Sequence, residues 1–197
     1  GHPMNAFWWI AGDCLDFRRS SAISESSGKE YLFASQLRHG SDKIISYDEQ
    51  IQTLASHGFA LWDLVKSCER KGSLDIDIKK EEPNDLRGFC QSHPTIERIV
   101  LANGNTQCTI FNRHFKDWWL SGELKPAPNE HSIKNFKKFA KKTNNFEKAR
   151  IECVCALAVS PAAARYTYLE KRTFWEKYCY IPGLSDHQSI NSSLLRN

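Results

Sequence analysis

The sequence predicts an α/β fold in which a short parallel sheet is covered by helices on both faces. Residues 59–65 (FALWDLV), 96–102 (IERIVLA) and 151–159 (IECVCALAV) are apolar runs of strand length with little polar alternation. Such runs suit strands buried on both faces. Stretches of helical character separate them, which is the β–α order of a parallel sheet. A chain of 197 residues with 41% apolar content suffices for one globular core and is short for two.

The elements follow in order. Residues 5–15 read as a short helix whose knot of Phe7, Trp8 and Trp9 packs inward. Residues 17–47 are polar, Ser-rich and basic, and read as a long loop or insertion. Helical character returns at 48–57, the first apolar run follows at 59–65, and ERKGSLD breaks it. LRGFCQS places a helix at 85–92. The second run closes on Asn103-Gly104-Asn105, where glycine allows a sharp exit into the helix of TQCTIFNRHFKDWWL. After a basic, Asn-rich linker, the third run ends in Ser160-Pro161-Ala162-Ala163, and a terminal helix spans 168–178.

The formal charge of +4 permits a polyanionic partner through a local basic face without announcing one. Seven cysteines include no Cys-x-x-Cys and no zinc spacing, so they read as reduced, buried thiols. No apolar stretch reaches the roughly 18 residues of a membrane span, and no signal-like segment is present. The expectation is a soluble intracellular protein, nuclear or cytoplasmic.

Ligands of parallel α/β sheets collect at the carboxyl ends of the strands, where Asn103 and Ser160 stand. The candidate site therefore comprises GHPMN at the start, ANGN after the second run and VSPAA after the third. Each piece also has a plain structural reading. Asn5 serves as a helix cap, Asn-Gly as a turn, Ser-Pro as loop punctuation and the aromatic knot as core.

Together, the stretches GHPMNAFW, GFALWDLVKSCERKGSLD, IERIVLANGN and VSPAAARYTYLEKRTFW resemble the hypoxanthine-DNA glycosylases (DNA-deoxyinosine glycosylases) of the uracil-DNA glycosylase superfamily. The order and spacing agree over most of the chain, apart from the insertion after Phe17 and the last fifteen or so residues. The resemblance implies a three-layer α/β/α sandwich around a short parallel sheet, uracil-DNA glycosylase-like, in a single domain. It also implies an enzyme that removes deaminated bases, hypoxanthine and by extension uracil, from DNA. No metal or organic cofactor is needed, and a monomer is expected.

On the family's pattern, Asn5 of the HPxN segment orients the attacking water, and His2 of the same segment joins it in the catalytic group. Phe7 forms an aromatic wall for the flipped base, and Asn103 with Gly104 meets the base edge. Ser160, Pro161 and Ala162 form a loop that grips DNA, supported by Arg165 and, as an electrostatic footprint, Lys171 and Arg172. In this family a strand and a Gly-x-x-Pro-type loop precede HPxN. The chain is therefore expected to be N-terminally incomplete, with the missing central strand lying between FALWDLV and IERIVLA. A catalytically silent DNA-binding relative, an inactive truncated fragment and a uracil-preferring enzyme are the alternatives.

Overall fold

In a computed structural model of the chain, residues 5–19, 36–38, 43–72, 78–140 and 149–194 are described. The chain divides into two compact units, one from Gly1–Ala60 with Leu157–Asn197 and the other from Leu61–Ala156. His2 and most of the expected insertion at 17–47 lie outside the described residues.

In the first unit, α1 (Phe7–Leu15) ends at Asp16, whose φ of 62° is the left-handed turn that stops the helix. The chain then doubles back so tightly that a Cβ on Gly12 would lie 2.2 Å from the Phe17 carbonyl oxygen, a space only glycine leaves. Two-residue strands β1 (Arg18–Arg19) and β2 (Ile44–Ile45) pair in parallel. Helix α2 (Tyr47–Ser56) starts on a reciprocal cap. Ser46 Oγ accepts the Glu49 N–H at 3.3 Å, and Glu49 Oε2 accepts the Ser46 N–H at 2.8 Å. Helix α7 (Tyr168–Trp175) opens on the same device, built from Thr167 and Glu170. The chain continues through a π-helical turn (Glu176–Tyr180) into α8 (Ile181–Leu194). The terminal helix expected at 168–178 therefore runs on past Pro182 and Gly183. Proline is tolerated in a helix's first turn, where its missing N–H costs no bond, and the π turn takes up the change in pairing. Buried Trp9, Ile10, Phe17, Leu157, Val159 and Trp175 belong to this unit's interior.

The second unit holds a parallel three-stranded sheet in the order β5 (Arg98–Leu101), β7 (Ile151–Cys155), β6 (Leu124–Pro126). The expected parallel sheet is present, with β7 at its centre. Arg98 pairs with Glu152 across strands in register and as an ion pair, and Leu124 lies opposite Ile151. Helix α3 (Leu86–Ser92) takes its expected place, and the single helix expected over TQCTIFNRHFKDWWL divides at Phe115 into α4 (Gly104–His114) and α5 (Lys116–Leu120). The core gathers Phe111, Trp118, Trp119, Phe136 and Cys153, with the Trp119 and Phe139 rings stacked at 5.7 Å.

Three expectations are corrected in this unit and its approach. FALWDLV is not a buried strand. Residues 59–64 are irregular, with Leu61 and Trp62 about half exposed (51% and 49%), and only Leu64 is buried. The strand begins only at its last residue, as β3 (Val65–Arg70), and runs through KSCER into an exposed antiparallel hairpin with β4 (Ile78–Pro83). Side-chain pairs across the hairpin, Lys80 with Glu69 at 2.8 Å and Ser67 with Glu82 at 2.9 Å, stabilise what reads in sequence as a polar break. FALWDLV therefore offers no strand to flank a central position.

The expected linker instead contains β6 and α6 (Glu130–Ala140). Asn129 Oδ1 caps α6 by accepting the Ser132 N–H at 2.9 Å, and Phe136 and Phe139 turn inward at helical spacing. Strand β7 is shorter than its apolar run, because Ala156 to Val159 leave the ladder while remaining largely buried. All seven cysteines are free thiols, but only five are buried. Cys14 is half-buried and Cys68 is exposed on the hairpin. Among the described residues no helix is long and apolar enough to cross a membrane.

Candidate functional site

Asn5, Phe7, Ser160, Pro161, Ala162 and Arg165 belong to the first unit, and Asn103 and Gly104 to the second. Asn5 is half-buried just ahead of α1, where its Oδ1 accepts the Phe7 N–H at 2.9 Å. The bond satisfies one of the helix's orphan donors and orients the carboxamide. Because a backbone amide can only donate, the oxygen end of the side chain is identified by the bond. The next residue, Ala6, donates its N–H to the Val159 carbonyl at 2.9 Å. That bond brings Asn5 and the Ser-Pro loop onto neighbouring stretches of backbone.

Phe7 is half-buried and held edge-on by two indoles, Trp8 at 5.0 Å and Trp175 at 5.8 Å. Trp175 is itself anchored, its Nε1 donating to the Leu157 carbonyl at 2.9 Å. Of the N-terminal knot, Trp9 is plain core at 2% exposure, whereas Phe7 and Trp8 keep part of their surface open.

In the Ser160 loop, the Ser160 carbonyl accepts the Ala163 N–H at 3.1 Å, and Ser160 Oγ accepts the Ala162 N–H at 3.3 Å. A hydroxyl that accepts from its own turn keeps its proton for an outside acceptor. Pro161, Ala162 and Arg165 are exposed, and the Arg165 guanidinium lies 5.4 Å over the Tyr166 ring. The other two basic residues turn inward. Lys171 is 6% exposed, and among the described residues its Nζ reaches the Ser160 carbonyl, at 3.4 Å. Burial pulls its pKa below the ordinary lysine value. Arg172 is locked on Asp13 Oδ2 at 2.9 Å and on the Gln36 carbonyl at 2.8 Å, so it serves the fold as a structural cation.

Asp13 is the residue that reading the sequence missed. Its side chain is fully buried and receives four donors: Arg18 at 2.9 Å, Arg172 at 2.9 Å, the Tyr168 hydroxyl at 3.0 Å and the Arg38 N–H at 3.1 Å. A carboxylate has about four lone-pair sites, and this one fills them. Burial first, and then the Asp13 carboxylate, push the Tyr168 hydroxyl's pKa up. Neighbouring Cys14 is pushed up to about 12, chiefly by burial and next by Glu176. The only clue in the sequence is an aspartate inside the apolar face of a helix.

In the second unit, Asn103 sits where β5 hands over to α4. Gly104 is buried with φ +62°, the left-handed conformation that lets the chain turn sharply at this point. The half-buried Asn103 donates its backbone N–H to Gln107 Oε1 at 2.8 Å. Both residues line an open depression of about 210 Å³, whose walls include Leu64, Val65, Ile78 and Ile110. Next to it, Asn105 Oδ1 accepts from Asn135 Nδ2 at 2.9 Å. Among the described residues, no group of three or more His, Cys, Asp or Glu gathers as a metal site.

Over 104 residues, 53% of its length, the chain is 29% identical to a hypoxanthine DNA glycosylase of Methanosarcina acetivorans. It is 29% identical over 104 residues to a protein of the same name from Methanosarcina barkeri. The chain spans about half the length of these curated relatives, 51% in each case. No protein-family model matches the chain. No solved structure matches it.

Proposed function

We propose that this chain carries the activity of a DNA glycosylase that hydrolyses the N-glycosidic bond of deaminated bases, with hypoxanthine as the first substrate. The observation that carries the reading is the similarity over 104 residues to two hypoxanthine DNA glycosylases. The local geometry supports it. An oriented carboxamide at Asn5, a half-open ring at Phe7 and a hydroxyl-bearing exposed loop at Ser160 are the kinds of group that base extrusion and hydrolysis need.

In the proposed reaction, water adds to C1′ as the bond from C1′ to the base nitrogen breaks. The bonding pair and a proton leave with the base, and an abasic site remains. Asn5 is a neutral carboxamide, which does not act as a strong base; its role is to hold the water in line. Negative charge grows on the departing base, and one well-placed donor to it contributes on the order of 3 kcal/mol. Asn103 carries that role at the base edge, Phe7 stacks on the ring, and the loop from Ser160 to Ala162 with Arg165 holds the backbone. Action on uracil extends the same reading to a second deaminated base.

The test is base release from duplexes containing a single deoxyinosine or deoxyuridine, read as alkali-dependent strand scission, with and without EDTA. Release of hypoxanthine, unchanged by chelator, is the expected result. DNA retention without release of either base would assign the chain to a silent relative, and total loss of activity in EDTA would overturn the metal-free chemistry.

A further inference from the structure

Gln107 stands one helical turn beyond Asn103, and its side chain folds back so that Oε1 accepts the Asn103 backbone N–H at 2.8 Å. The two ends of a carboxamide are usually told apart only through their partners. Here the partner is a backbone N–H, which cannot accept, so the oxygen is the bonded end and Nε2 is the other. Nε2 has no protein partner among the described residues. The same side chain lines the depression of about 210 Å³, whose lining combines apolar Leu64, Val65, Ile78 and Ile110 with polar Asp63, Asn103 and Thr106. Sites for drug-sized ligands begin near roughly 300 Å³, so this depression is on the scale of a single heterocycle. The fold thus presents apolar surface for a flat ring and a carboxamide whose free end only donates.

We propose that Gln107 is a specificity-determining residue that donates from Nε2 to the oxo group of a deaminated base. The inference rests on the glycosylase reading given above. Deamination of adenine replaces an exocyclic amino group, a donor, with a carbonyl, an acceptor. A freely rotating carboxamide could turn to meet either one. Gln107 cannot, because turning would leave the Asn103 N–H facing an NH₂ group. Hypoxanthine therefore finds a donor opposite its carbonyl, whereas adenine brings N–H against N–H. Discrimination from guanine, which shares the carbonyl, falls to other groups.

Gln107→Glu is the informative variant. It keeps an oxygen for the Asn103 N–H and replaces the donor by an acceptor. Gln107→Met removes both without adding charge. For the full chain and each variant, the measurements are thermal melting, single-turnover excision from a deoxyinosine duplex, and binding of free hypoxanthine and free adenine followed by NMR. The wild type is expected to release hypoxanthine and to prefer it over adenine. Gln107→Glu should melt with the wild type yet lose at least about tenfold in excision, together with its preference for free hypoxanthine. Gln107→Met should melt lower and lose the preference as well. If Gln107→Glu excises and binds hypoxanthine as the wild type does, Gln107 is only a helix cap; the glycosylase reading then stands and this inference falls. A wild-type chain that neither binds nor releases hypoxanthine overturns both.

Discussion

The Ala6 N–H donates to the Val159 carbonyl at 2.9 Å, and this bond sets Asn5 and Ser160 on neighbouring stretches of backbone although they are distant in sequence. Two of the three segments assigned to the candidate site are thereby held in one unit by main-chain geometry. Side-chain substitutions at Asn5 or Ser160 leave that bond in place, so their effects report on chemistry and binding.

Asn5→Ala should cut single-turnover excision by at least about tenfold, the scale of one lost positioning interaction. Asn5 Oδ1 also accepts the N–H of Phe7, the first residue of α1, so the alanine variant loses roughly 1 kcal/mol of stability as well. Asn5→Ser separates the two effects, since serine supplies a capping oxygen but no carboxamide. It should melt near the wild type and excise as poorly as alanine. Near-normal excision by Asn5→Ser would leave Asn5 with a capping role alone.

Ser160→Ala is expected to weaken DNA binding several-fold, while the excision rate at saturating enzyme stays within about twofold, as suits a hydroxyl that faces phosphate and not the reacting bond. Titration of a fluorescent duplex and single-turnover kinetics on the same preparation check this. Normal affinity with slow chemistry would contradict the assignment.

Asp13→Ala should be strongly destabilising, because it strands the buried ends of Arg18 and Arg172 and the Tyr168 hydroxyl at once. Removing one partner of a buried ion pair costs about 3–5 kcal/mol, a loss that urea titration measures directly. A loss below about 1 kcal/mol would show that water or rearrangement replaces the network.

Lys171→Met should raise stability. Among the described residues the buried ammonium has a carbonyl and no carboxylate beside it, so an apolar side chain of similar length removes a desolvation penalty. A gain of about 1 kcal/mol corresponds to roughly 2–4 °C in melting temperature at this chain length. The folded-state pKa of Lys171 is lowered, so the unfolded chain binds its proton more readily. The penalty is therefore fully present at neutral pH and shrinks as pH rises toward the ordinary value of 10.5. Melting temperatures of wild type and variant should converge over that range, and a constant gap would place the gain elsewhere.

Local chemistry carried much of this fold into the sequence. Helices α1, α2, α3 and α4 were legible because caps and apolar spacing act within a turn or two of chain, and β5 and β7 because an unbroken apolar run fits a strand buried on both faces. Asn103 was expected at a strand's carboxyl end and stands where β5 hands over to α4, whereas β7 ends at Cys155 and Ser160 follows only after an irregular stretch.

Tertiary structure decided the rest, because it depends on partners that sequence spacing does not show. FALWDLV lacks a neighbouring strand and stays irregular, whereas the polar KSCER becomes a strand once Ile78–Pro83 lies beside it. Strand β6 is three residues long and owes its existence to pairing with β7. Of three basic residues close together in sequence, only Arg165 faces solvent; Arg172 is drawn onto Asp13, and Lys171 is buried beneath the Ser160 carbonyl. Whether a charge grips a partner or holds the fold is set by the dielectric and the counter-charges around it, and these exist only after the chain has packed.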